Sequence, residues 1–311
     1  MKTAVLVISF NRPKLLKSLL SNPELNSRNV YLSIDGARNG IQEDIKLVEA
    51  CKKIASDFKS SRATFKTELK FQDTNKGISK SATEAIDWAF EYEEKIIVLE
   101  DDIFPSKDFF VYMDYYLNLF QLDKEIWHVG GHNPNPRTKK LLSPYLSIFP
   151  MMWGWGTWKD RWTLYDANSV FLNQPFSVNL HGYIPHQILN AGFTKYWENR
   201  ILRIRNGFNT WDVQWGLLMW SQRAFAILPN VNLTLNKGVG PNATNTKSAT
   251  VFTTKKNFSG QKLRVMPVKP IRNEWEDIVT WKYVFGRSYK MSIKWRTYMK
   301  IYKKLIKLNW F

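Results

Sequence analysis

The chain is expected to fold as an α/β protein whose mainly parallel sheet is flanked by helices. Three observations predict this. Short apolar runs alternate with amphipathic segments through the first hundred residues. The run Ile96-Ile97-Val98-Leu99 lacks the alternation of a half-exposed strand and reads as one covered on both faces. Polar clusters follow successive apolar runs, as they do where parallel strands end on one edge.

The elements follow in order. Residues 3–10 form an apolar strand. Pro13 then sits where a helix begins, and Leu15, Leu16, Leu19 and Leu20 give that helix an apolar face. Residues 30–34 make a second strand that ends in the turn signal Asp35-Gly36. A helix over 41–58, a strand over 64–71, a helix over 79–93 and a strand over 95–99 complete a βαβαβαβ order, which argues for helices on both faces of the sheet. Beyond residue 102 the pattern loosens. A helix is expected over 106–121 with Ser106 as its N-cap, and a short strand over 127–130. After these come the polar loop 132–140, a Trp- and Gly-rich stretch over 149–162 and a short aromatic helix over 212–220. Residues 238–273, rich in Asn, Thr and Lys, read as a loop or linker.

With 311 residues the chain can bury a substantial core, and an aromatic content of 15%, including 14 Trp, excludes a disordered protein. The single cysteine, Cys51, excludes an intramolecular disulfide and reads as a small packed residue. The apolar stretch at residues 4–10 is too short for a signal-peptide core, and nothing approaches the ~18 apolar residues of a membrane span. A cytoplasmic protein is expected. The net charge of +18 is uneven: residues 213–311 carry +15 and residues 1–212 only +3. A nucleic-acid-binding module would interleave basic and aromatic residues across its core, so nucleic acid is not the expected partner.

Chemistry concentrates where strands end. Glu100, Asp101 and Asp102 follow the fourth strand. Three adjacent carboxylates repel one another and resist desolvation, so a cation stabilises them, and hard oxygen ligands suit Mg²⁺ or Mn²⁺ carrying a diphosphate. Read alone, the tripeptide is equally a solvated acidic turn. Asn11-Arg12, Asp35-Gly36 and Asn75-Lys76-Gly77 should converge on the same crevice. There Arg12 can pair with an anion and Asp35 can accept hydrogen bonds from a nucleobase. No G-x-G-x-x-G follows the first strand, so a dinucleotide fingerprint is absent.

The combination becomes specific when taken together. A first strand ending in N-R-P, an I-D-G, an N-x-G before a helix, V-L-E-D-D-x-x-x-S-x-x-F-F, the segment F-P-M-M-W-G-W-G-T-W-K-D-R-W and T-W-D-V-Q-W resemble GT-A-fold, nucleotide-sugar-dependent glycosyltransferases. They are similar to bacterial relatives of the N-acetylglucosaminyltransferase I family, over residues 1–245. The resemblance implies that Asp102 is the direct metal ligand, with Mn²⁺ or Mg²⁺ as cofactor, and that Glu100 and Asp101 orient the sugar and ribose. It implies that Asp35 reads uracil beside Arg12, and that Asp212 is the catalytic base. Val213 stands where the family has a second acid, which leaves Asp212 as the one acid of its segment. The segment with Asn75 and Lys80 occupies the place of the family's uracil-contacting histidine.

Displacing a nucleoside diphosphate needs its leaving charge stabilised and the acceptor hydroxyl deprotonated, which a metal and one carboxylate supply. A single base implies inversion. The stretch with Trp153, Trp155 and Trp158 reads as core packing or as flat faces for a sugar, with Trp155 and Trp211 the expected sugar or acceptor contacts. His132 and Asn133, just past a strand end, are expected at the donor sugar. His128, His181 and His186 show no metal spacing.

The C-terminus carries a separate signal. Met291, Trp295, Tyr298, Tyr302, Leu305 and Leu308 share one helical face, and Arg296, Lys300, Lys303 and Lys307 another. Such a basic amphipathic helix suits an anionic membrane surface; its alternative is docking on the catalytic domain. The domains expected are therefore 1–245, with a nucleotide-binding half 1–105 and an acceptor and catalytic half 106–245, then a linker 246–273 and a basic helical tail 274–311. The expected protein transfers sugar from a nucleotide sugar, a UDP-sugar by preference, to a glycan or lipid-linked acceptor in bacterial surface polysaccharide synthesis. It would do so at the inner face of the plasma membrane. A sugar-phosphate nucleotidyltransferase and a non-enzymatic basic membrane- or nucleic-acid-binding module are the alternatives.

Overall fold

A computed structural model describes residues 2–134, 144–166, 180–238 and 270–285. The first strand, β1 (Ala4–Ser9), is followed by helix α1 (Pro13–Leu20), β2 (Val30–Ile34), α2 (Gln42–Ser60), β3 (Thr67–Phe71), α3 (Gly77–Phe90) and β4 (Lys95–Glu100). The βαβαβαβ order is as the sequence predicts. Next come β5 (Ile103–Pro105), α4 (Lys107–Leu119), β6 (Ile126–Gly130), β7 (Tyr145–Ser147), β8 (Trp155–Trp158) and the single turn α5 (Lys159–Trp162). Helices α6 (His186–Asn190), α7 (Phe193–Arg205) and α8 (Asp212–Ser221) precede β9 (Phe225–Leu228) and β10 (Thr234–Asn236). The described chain ends with β11 (Ile271–Arg272) and α9 (Glu274–Thr280), the latter running on into a last turn to Phe285.

Among the described residues, nine strands form one sheet in the order β3-β2-β1-β4-β8-β6-β9-β7-β11. The pairs β1–β2, β1–β4, β2–β3, β6–β9 and β7–β11 are parallel. Strand β8 runs antiparallel between β4 and β6 and joins the parallel block β3-β2-β1-β4 to a mixed block, in which β9 and β7 pair antiparallel. The lack of alternation at 96–99 now has its cause. Ile96 and Val98 enter the core on the α3 side, while Ile97 and Leu99 enter the core built with α1, α2 and α4. Both faces are covered, so every position is apolar.

Ser106 caps α4 as expected, its side chain accepting from the Phe109 amide at 3.2 Å. Helix α3 begins two residues earlier than its sequence pattern indicates. Its own N-cap position, Lys76, gives no side-chain cap, and the first amides are taken up by side chains from other loops. That is a tertiary effect with no local signature.

The tail reading is corrected in part. Residues 274–285 pack into the same body as the sheet: β11 pairs with β7, Asp277 is fully buried, and Trp281 stacks against Phe149 with ring centroids 6.4 Å apart. Asp277 accepts from the Ser147 hydroxyl at 2.5 Å and pairs with Arg272 at 2.7 Å. The remainder of the expected basic helix, from residue 286 onward, lies outside the described residues, as does 239–269. Among the described residues no helix is long and apolar enough to cross a membrane.

Candidate active site

Parallel pairing brings the C-terminal ends of β1, β2 and β4 to one edge. The Asp101 amide donates to the Ile8 carbonyl at 3.1 Å, and the Asp35 amide to the Ser9 carbonyl at 3.0 Å, so each acid follows directly from a ladder. Arg12, on the turn into α1, places Nη1 2.6 Å from Asp102 Oδ2 and 3.2 Å from Asp101 Oδ1. Asp101 also accepts from the Ser9 hydroxyl at 2.7 Å and is buried. Beside these ends opens a cleft of about 190 Å³ lined by Arg12, Glu100, Asp102, Trp211 and Asp212, together with Ile78, Met152, Trp153, Thr210, Asn236 and Gly238. Helix α8 brings Asp212 in from a segment more than a hundred residues distant in sequence.

The electrostatics are one-sided. Glu100, Asp101, Asp102 and Asp212 share this region with a single cation, Arg12, among the described residues that line the cleft. Burial, reinforced by Asp102, Asp101 and Asp212, pushes the Glu100 carboxyl up to about 8 against the opposing pull of Arg12. Burial likewise raises Asp101 to about 6, with Arg12 opposing and Asp102 adding to it. The Arg12 guanidinium is itself held above its ordinary range: burial works against its charge, but Asp101 and Asp102 outweigh it.

Among the described residues no three carboxylate, imidazole or thiol groups converge to hold a metal unaided. The donor set is instead one or two carboxylates, Asp102 and Glu100, in a cleft with excess negative charge. That fits a hard divalent ion sharing its coordination with phosphate oxygens and water, and does not fit an all-protein cage.

A pH dependence follows. Glu100 and Asp101 bind protons in the fold that the unfolded chain has released, so each withdraws stability as pH rises from about 4 through its raised value. The buried His128 and His132, both lowered to about 3, act oppositely: their contribution is lost as pH falls below about 6.5. Above about pH 6.5 the acidic cluster therefore dominates. The melting temperature of the metal-free protein should fall between about pH 6.5 and 8.5, and Glu100→Gln should flatten that slope. An unchanged slope in Glu100→Gln would place the titration elsewhere.

The other sequence candidates are distributed unevenly. Asp35 is buried, and its carboxylate accepts from the amides of Gly36, Lys76 and Gly77 and from Asn75 Nδ2, all within 3.2 Å. It ties β2 to the start of α3 and does not line the cleft. Asn75 completes that tie with a 2.9 Å bond to the Gly36 carbonyl. A Cβ on Gly36 would lie 2.3 Å from the Thr74 backbone, which explains the Asp-Gly pair as a close approach of two loops. Lys80 faces outward on α3, its ammonium 3.7 Å from Glu84, and is not brought to the cleft. Asn133 is buried, donating to the Pro229 carbonyl at 2.7 Å. His132 packs its ring 4.5 Å from that of Trp153, directly behind the cleft wall.

Trp155 requires a correction. It is 1% exposed and stacks on His128 and Trp211 at 5.1 and 5.5 Å, so it forms the floor beneath Trp211 and does not present a face to ligand. The preceding Trp153 lines the cleft instead. Both tryptophans sit in one Trp-Gly repeat, and only strand β8, which begins at Trp155, decides which is swallowed. Trp155→Ala should cost about 3–5 kcal/mol of stability in denaturant titration. Trp153→Ala should cost distinctly less while weakening ligand binding; equal losses would contradict this division.

Asn236 and Gly238 were invisible in sequence because β10 pairs with β5 across a large separation. The Lys237 amide donates to the Asp102 carbonyl at 2.8 Å, and a Cβ at Gly238 would fall 1.8 Å from Asp102 Oδ2. Position 238 therefore leaves room for no side chain while Asp102 stays in place.

No family model and no curated protein matches the chain. Among solved structures, the chain is similar to the mannosyltransferase PcManGT from Pyrobaculum calidifontis in complex with GDP-Man and Mn²⁺. The identity is 12% over 71% of this chain and 69% of that one, with a TM-score of 0.41. It is also similar to HddC from Yersinia pseudotuberculosis, at 14% identity over 52% and 78% of the two chains, TM-score 0.32. A third is a mannose-1-phosphate geranyltransferase from Thermus thermophilus, at 13% identity over 74% of each chain, TM-score 0.32. At such TM-scores these likenesses carry no mechanistic weight.

Proposed function

We propose that the chain is a metal-dependent, inverting glycosyltransferase that moves a sugar from a nucleotide sugar, UDP by preference, to a hydroxyl of a glycan or lipid-linked acceptor. The observation that carries this reading is the cleft itself. It joins metal-ready carboxylates at the ends of parallel strands to a carboxylate, Asp212, delivered on a separate helix. In this reading Asp102 and Glu100 would hold Mn²⁺ or Mg²⁺, which would supply Lewis acidity for a diphosphate leaving group. Arg12 faces the same diphosphate. Asp101, buried beneath Ser9 and Arg12, fixes the guanidinium. Trp153 and Trp211 offer apolar faces to sugar rings. Asp212 takes the proton of the acceptor hydroxyl as that oxygen attacks the anomeric carbon. T-W-D-V-Q-W holds no second carboxylate to act as a nucleophile, which favours a single displacement with inversion.

A thermal-shift panel of nucleotide sugars with and without Mn²⁺ tests the reading, because a ligand that binds the native state raises its stability. Metal-dependent stabilisation by a nucleotide sugar, followed by transfer with inverted anomeric configuration in NMR, is the expected result. Pyrophosphate release from a nucleoside triphosphate and a sugar phosphate would instead establish a nucleotidyltransferase. The basic segment from residue 286 onward is proposed to hold the enzyme on an anionic membrane surface. Co-sedimentation with anionic vesicles should be lost when residues 288–311 are deleted; retained binding would place the contact elsewhere.

A further inference from the structure

The two oxygens of Asp212 are treated differently by their surroundings. Oδ1 accepts from the Thr210 hydroxyl and from the Val213 amide, the latter at 2.9 Å. Oδ2 accepts neither. Thr210 is itself held: its carbonyl accepts from Gln214 Nε2 at 2.9 Å, and Gln214 is buried at 3% exposure within α8. The adjoining Trp211 carbonyl accepts from the Tyr165 hydroxyl at 3.2 Å. Loop residues 210–211 are therefore fixed from two directions, and Thr210 lines the cleft beside Asp212.

We infer that Thr210 is a positioning residue for the base, holding Asp212 by Oδ1 so that Oδ2 takes the acceptor proton. The inference rests on the glycosyl-transfer reading above. In the step it describes, the acceptor O–H proton passes to Oδ2 and the freed oxygen pair forms the new bond to the anomeric carbon. The bond from that carbon to the diphosphate oxygen breaks, its pair leaving with the nucleoside diphosphate. The hydroxyl of Thr210 stays bonded to Oδ1 throughout, so the carboxylate does not have to find its orientation as the reaction proceeds. The motif T-W-D-V-Q-W thereby acquires a second meaning: the Thr and Gln that flank Asp212 are its brace.

The test uses the full chain with Mn²⁺ and compares Thr210→Val, which keeps the shape and loses the hydroxyl, with Thr210→Ser, which keeps the hydroxyl. Thr210→Val should lower kcat by about 10- to 100-fold. Its calorimetric Kd for Mn²⁺–nucleoside diphosphate should stay within about twofold of wild type. Thr210→Ser should restore most of the rate. Wild-type kcat in Thr210→Val overturns the proposal. So does an equal rate loss in both variants with a lowered Tm, which reports simple helix capping, or a matching rise in Kd, which reports a donor contact. Absence of metal-dependent nucleotide binding by the wild-type protein overturns the glycosyl-transfer reading, and this proposal with it.

Discussion

Replacing Asp212 by Asn is expected to remove about 10²–10⁴-fold of the transfer rate while leaving metal–nucleotide binding intact. The substitution preserves size and can still accept from Thr210 and Val213, so α8 keeps its first turn. It cannot take up a proton as a carboxylate does. Single-turnover transfer and titration with Mn²⁺–nucleoside diphosphate separate the two effects, and near-normal transfer would remove Asp212 from the role of base. Its place in the fold makes the separation clean. Asp212 is exposed, and its side chain is bonded to the Thr210 hydroxyl and the Val213 amide and not to a cation, so no buried charge is stranded when its own is lost.

Asp102→Ala is expected to act on the opposite half of the reaction. Nucleoside diphosphate with Mn²⁺ at about 100 times Kd should stabilise the native protein by about 2.7 kcal/mol, and the variant should lose that gain. Its metal-free form should be spared a comparable loss, because Arg12 keeps Asp101 as a partner and Glu100 loses a like-charged neighbour. Differential scanning fluorimetry with and without ligand reads both quantities in one experiment. Retained metal-dependent stabilisation would take Asp102 out of the site. With Asp212→Asn it makes a complementary pair, one variant that binds without transferring and one that does neither.

What sequence conveyed about this site depends on how each residue is held. Glu100, Asp101 and Asp102 were legible because a four-residue apolar run fixes where β4 ends, and a parallel sheet fixes the edge on which it ends. Arg12 was legible for the same reason after β1. Asp212 rested on the resemblance, since nothing local distinguishes it from an acid at a helix start. Asp35 shows the limit of such reasoning. Its position at a strand end was foreseen, but three of the donors that occupy its carboxylate come from Asn75, Lys76 and Gly77, and only the folded chain brings them there. Trp155 and Trp153 show another limit, where two identical residues in a repeated dipeptide exchange roles according to where a strand begins. By sequence, residues 274–285 read as part of a basic helical tail because basic charge dominates the chain after them. The buried Asp277 and Trp281 reveal that this segment belongs to the core.

The insertion of β8 between β4 and β6 also has a consequence for how the chain folds. Strand β4 can pair with β1 as soon as residue 100 is available, yet its other edge finds its partner only when residues 155–158 arrive. Until then an apolar run carrying the acidic cluster lies along an unpaired sheet edge, the feature that recruits strands from other chains. A nascent or truncated chain ending before residue 155 should therefore self-associate through β4. The same late strand that covers this edge also sets Trp155 beneath Trp211, so protection of β4 and placement of the cleft floor become a single event in folding.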